Sequence, residues 1–171
     1  MADLPLAVIL NATIQPHSVG APVYVSVEVR NISNRPLWMV GVLDGSEIGF
    51  RYPHYQPVIA GPEPLPAPEL GDCGNVAPLR LSDFRHLVPN EGFDPTDARD
   101  GAGYLPLRTF TNFRPPVPGR YELRLIVSTE SLQVEEWLGI LEYPGKEAVL
   151  ARLALVPRVR VESNLLVVEA S

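Results

Sequence analysis

The stretch Pro118-Gly-Arg-Tyr-Glu-Leu-Arg-Leu-Ile-Val-Ser128 constrains this chain most, because it joins a turn of defined backbone chemistry to a two-residue period. Pro118 presets the φ of a β-turn's second position, and Gly119 accepts the positive φ that a type II turn needs at its third. Tyr121, Leu123, Leu125 and Val127 then share one face while Glu122, Arg124 and Ser128 take the other, with Ile126 the exception. That is the period of a strand with one face on a core and one toward water.

The same alternation recurs. Val23, Val25, Val27 and Val29 oppose Tyr24, Ser26, Glu28 and Arg30, and Leu6 to Ile14 reads as a first strand ending at Gln15-Pro16. Asn31 to Pro36 supplies Asx-type turn chemistry. Leu37 to Val42, Asp44-Gly45 and Glu47 to Tyr52 read as a hairpin. Pro53 to Pro78 reads as a long Pro-rich connection, extended around Gly61 to Pro68. Leu79 to Leu87 is predicted as a short edge strand and Leu105 to Phe113 as another alternating one. Val134 to Leu141 is ambiguous between strand and loop, Glu147 to Val156 is spaced for one short helix that stops before Pro157, and Val159 to Val168 is the last strand.

A length of 171 residues suits a single domain over residues 1–171 and is short for two, and 19 Pro with 13 Gly disfavour long helices. The expected fold is all-β: an immunoglobulin- or fibronectin-III-like antiparallel sandwich of about seven or eight strands, with the long loops at one end. Alternate connections should fall at opposite ends. The Asn31–Pro36 loop, the end of the middle connection and the Thr129–Pro157 connection are thus expected at one pole, and the Asp44-Gly45 and Pro118-Gly119 turns at the other. Tyr121, at the start of its strand, suits a corner tyrosine whose hydroxyl ties back to the preceding connection.

The formal net charge of −6, with one lysine among 14 Lys+Arg, gives no electrostatic footprint for nucleic acid or an anionic membrane. Cys73 is the single cysteine, so no internal disulfide forms. A reducing, cytoplasmic setting is expected, since Met1-Ala-Asp-Leu-Pro lacks the basic start of a signal peptide and no apolar run approaches a membrane span. The sequons at Asn11 and Asn31 are then idle.

No constellation of chemistry-bearing residues emerges. His17, His54 and His86 lack metal-site spacing, and no metal or cofactor is implied. Asp94, Asp97, Asp100 and Gly101 have the wrong spacing for a calcium loop. Ser46 lies in a turn rather than a nucleophile elbow. Cys73 next to Asp72 is not set up as a thiolate. Trp38 reads as core. Trp137, Tyr143, Tyr55 and His54, all in irregular connections, are the candidates for contact with a partner; Trp137 reads either as an exposed aromatic anchor or as a large aromatic that packs over the sandwich end and pins its loop.

The segments Asp83-Phe84, Leu87-Val-Pro-Asn-Glu-Gly92, Pro118-Gly-Arg-Tyr121, Trp137-Leu-Gly139 and Ser163-Asn164 are similar to those of a group of uncharacterised bacterial immunoglobulin-like proteins, of the form D-F-x-x-L-x-P-G-E, P-G-x-Y, W-x-G and S-N. The chain departs from them at Asn90, where Gly is preferred, and in the extra Glu147–Val156 segment. More weakly, Val27 to Asn31 and P-G-x-Y resemble the intracellular proteinase inhibitor family. Both resemblances imply a sandwich fold and neither implies a catalytic residue.

Two functions follow as expectations. The first is a non-catalytic module that binds a protein or peptide partner, in one variant a protease inhibitor presenting its rigid Pro-rich loop. The second is a hydrolase or metal-dependent enzyme in which His86 or His54 meets two carboxylates. An open sheet edge would also allow a homodimer.

Overall fold

A computed structural model describes residues 4–12, 16–66, 77–97, 105–139 and 143–171. Cys73 and the Asp100-Gly101 end of the acidic turn lie outside the described residues. The described chain is mostly strand in antiparallel sheets, with short helices.

The valine-alternating segment forms β2 (Val25–Asn31) and pairs with β1 (Leu6–Ala12) on one side and β6 (Gly92–Phe93) on the other. Leu6, Val8 and Leu10 of β1 and Val25, Val27 and Val29 of β2 are all buried, so the two-residue period was a true guide to the core face. The Pro118 stretch forms the longest strand, β7 (Gly119–Ser128), at the centre of the larger sheet. β4 (His54–Ala60) flanks β7 on one side, and β8 (Arg160–Glu162) and β9 (Leu166–Ala170) lie end to end on the other. β3 (Leu37–Val40) and β5 (Phe84–Leu87) make a separate two-stranded ladder. Side chains from all three sheets form one hydrophobic core.

Local chemistry explains the joints. The Tyr121 hydroxyl donates to the carbonyl of Val117 at 2.8 Å, which is the expected corner bond. The final strand is broken at Ser163, whose N–H donates to the Leu125 carbonyl (2.9 Å) while its hydroxyl accepts the Leu125 N–H (2.9 Å). Asn164 is thereby turned toward β1. Its amide accepts from Leu10 N–H at 2.7 Å and donates to Leu10 C=O at 3.0 Å, stitching the two larger sheets together. Asn31 is fully buried, and its amide nitrogen donates to the carbonyls of Arg35 and Leu87, which holds the 31–36 turn against β5.

Several expected elements differ. The 37–52 hairpin does not form. β3 pairs with β5 instead, and residues 44–50 form successive turns around Gly45, at φ +84°. The Pro53–Pro78 connection begins as a strand, β4, with Tyr55 buried in it. Leu105–Phe113 is not a strand but coil leading into helix α1 (Arg108–Asn112), because Leu107 and Phe110 are spaced by three and both reach the core. The edge strand expected from Leu79 is shortened to β5 by a 3-10 turn at Leu81–Asp83. Residues Glu135–Leu138 form helix α2, and the predicted helix is present as α3 (Lys146–Leu153). The predicted separation of poles also fails for Asp44-Gly45. The Arg51 guanidinium joins Asp44 to the carbonyl of Trp137, and Tyr52 N–H donates to Glu136 C=O at 2.8 Å, so this turn lies beside the 129–139 connection.

Candidate functional site: a groove at the open edge of the larger sheet

The sequence-predicted contact residues divide sharply. Trp137 is 0% exposed. Its indole N–H donates to Ser131 C=O (3.1 Å), and its ring lies under the Arg158 guanidinium (4.7 Å) and beside Tyr52 (5.6 Å). It therefore pins α2 to the body instead of anchoring a partner, as large aromatics usually do. Tyr55 is also fully buried, and its hydroxyl donates to Val40 C=O at 2.8 Å, bolting β4 to β3. His54 is half-buried in β4 rather than in a loop, and stacks on Tyr52 at 3.8 Å. Burial lowers its pKa, with Glu136 opposing. Tyr143 is half-buried, and its hydroxyl is buried without a hydrogen-bond partner.

Behind Trp137 lies a buried polar cluster that sequence reasoning missed. The Arg51 side chain donates to Asp44 Oδ1 (2.9 Å), Ala77 C=O (2.6 Å) and Trp137 C=O, while its Nε has no partner. Asp83 accepts Arg80 N–H at 2.7 Å, but its Oδ1 is buried without a partner. Burial pushes the Asp83 carboxyl up to about 6, against the pull of the Arg80 N–H and the Arg80 and Arg51 charges. Burial likewise lowers the Arg51 pKa and raises that of the Tyr143 phenol. The cluster ties the 44–51 turns, the 77–83 segment and α2 together; Arg51 and Asp83 are buried in it, while Asp44 keeps part of its side chain at the surface.

The surface offers a different place. β4 is the edge of its sheet, and its outer side is blunted residue by residue. Leu125 of β7 gives its backbone groups to Ser163, so Pro57 opposite it faces outward with no N–H to present. Two residues earlier, the outward N–H of Tyr55 donates to Ser46 C=O at 3.0 Å. Among the described residues this leaves Ile59 as the one outward N–H of the β4 core-face positions without a partner. Beside this edge runs an open groove of about 740 Å³. Pro57 and Ile59 of β4, Leu65, Phe113 and residues of α1 line it. Phe113 is fixed by its edge-on contact with Tyr121 (5.4 Å) and by accepting Val23 N–H at 3.0 Å. Glu47 lines the groove too, but its Oε1 accepts the N–H groups of Arg108 and Thr109 at the start of α1.

Compared with protein-family models, curated proteins and solved structures, the chain finds no match. The reading therefore rests on the groove's own geometry. Its walls come from β4, α1 and the 61–66 segment, which sequence patterns assigned to loops and a strand. The proline in β4 concealed the strand, and no local signal could have joined residues 57 and 113. Among the described residues no group of three or more His, Cys, Asp or Glu could hold a metal, and no helix is long and apolar enough to cross a membrane.

Proposed function

We propose that this chain is a non-catalytic interaction module with an immunoglobulin-like sandwich architecture, and that it binds an extended segment of a partner protein in the groove beside β4. The architecture is supported by the Tyr121 corner bond, by the central position of β7, and by the 17–19 segment, which runs parallel to β9 through the His17–Ala170 bridge. The groove carries the functional reading. It is mainly apolar, concave and lined by prolines and a strand, so a bound segment loses its own freedom while the site loses little. The described part of the Pro-rich segment favours this over presentation of an inhibitory loop. Pro62 leans on the turn into β7, where a Cβ on Gly119 would sit 2.9 Å from its Cγ, and Leu65 and Pro66 line the groove. A hydrolase would require His54 or His86 to meet two carboxylates; His86 instead packs against Trp38 at 4.7 Å, and His54 on Tyr52.

Pull-down from lysate with wild type, Ile59→Glu and a control, Tyr24→Glu, at an exposed position just before β2 tests the reading. A partner retained by wild type and Tyr24→Glu and lost by Ile59→Glu is the expected result. Equal retention by Ile59→Glu would place the interaction elsewhere.

A further inference from the structure

The groove's rim indicates what kind of segment fills it, an inference that rests on reading the groove as a protein-binding site. Arg108 and Arg114 both line it and both are exposed. Arg108 has no acidic partner among the described residues, and the one bond described for the Arg114 guanidinium goes to the Gly20 carbonyl at 2.9 Å. Three other surface arginines are paired, Arg30 with Glu28, Arg120 with Glu122 and Arg124 with Glu162, whereas Arg108 and Arg114 share one groove. Glu47, the one carboxylate among the described lining residues, accepts the N–H groups of Arg108 and Thr109 at the start of α1 through Oε1. Two guanidinium groups are thus left facing an apolar trough in a chain of formal net charge −6.

We infer that the groove takes an acidic, apolar segment of a partner protein, with carboxylates on Arg108 and Arg114 and an apolar side chain between Ile59 and Phe113. Guanidinium groups hold carboxylates through paired, charge-assisted bonds, and those bonds strengthen beside an apolar wall where the effective dielectric falls. Strand addition is not the mode. Pro57 has no N–H to give and that of Tyr55 is taken, so side chains rather than a backbone ladder carry the recognition.

The test is to pan a library of random linear peptides against the full chain, against the double variant Arg108→Glu/Arg114→Glu, and against Ile59→Glu, each checked for an unchanged melting profile. Wild type is expected to enrich Asp or Glu beside Leu, Ile or an aromatic residue, and the double variant to enrich Lys or Arg in the same place. A synthetic wild-type peptide should bind the double variant on the order of tenfold or more weakly by fluorescence anisotropy. Peptides that require Ile59 but show no acidic preference and bind the double variant equally would overturn the acidic inference and leave the groove standing. Peptides indifferent to Ile59, or no enrichment at all, would remove the groove reading and this inference with it.

Discussion

Truncating Asn164 to Ala leaves the N–H and C=O of Leu10, a residue 1% exposed, without their side-chain partners. Two buried backbone groups losing bonds should cost about 1–3 kcal/mol, read as a lower urea midpoint with an unchanged slope. Asp83 gives a pH-dependent counterpart. Its folded-state pKa of about 6 lies above the 3.8 of an ordinary Asp, so its contribution to stability is full below about pH 4 and is lost as pH rises through 6. Asp83→Asn should therefore gain on wild type between pH 4 and 7.5, as followed by urea midpoints across that range. A constant difference would show that Asp83 does not titrate there. At this scale the sequence was legible where chemistry is local. Tyr121 needs only a carbonyl four residues back, and Asn31 folds over its own turn to Ser33. Asn164 was opaque because its partner is 154 residues away, and Arg51 and Asp83 because nothing in sequence marks a buried charge.

Elements were legible where both the period and its ends were clean. β1 and β2 bury the expected faces, and β7 buries Tyr121, Leu123, Leu125 and Val127 as expected, with Ser128 at its end buried as well. β4 was hidden by Pro57, which reads as a breaker until the edge position turns its nitrogen outward. α1 was taken for a strand because Leu105, Leu107 and Phe113 also fit a period of two; burial of Leu107 and Phe110 shows the period of three that won. The blunted β4 edge makes an element-scale prediction. Pro57→Val restores an outward N–H next to that of Ile59, and should increase self-association in sedimentation velocity relative to wild type. Unchanged sedimentation would mean that the edge is protected by something other than its proline.

At the scale of the whole molecule, an expected pole of loops organised around Trp137 gives way to a closed, buried end and an open side. The tryptophan, Arg51 and Asp44 join the Asp44-Gly45 turn to the 129–139 connection, which fills that end from within. The opening lies along β4 instead, where one sheet edge, α1 and a proline-rich wall meet. The general fold class was readable because alternation reports burial. The location of the opening was not, since it depends on which edge is left uncovered after every strand has found its partner. A photo-crosslinking side chain placed at Ile48, on the groove's rim, and separately at Leu132, which is 81% exposed on the connection leading to Trp137, compares the two surfaces directly. Crosslinks to a partner from position 48 and none from 132 are what a groove-binding module predicts; crosslinks from 132 alone would contradict it and return the interaction to the Trp137 end.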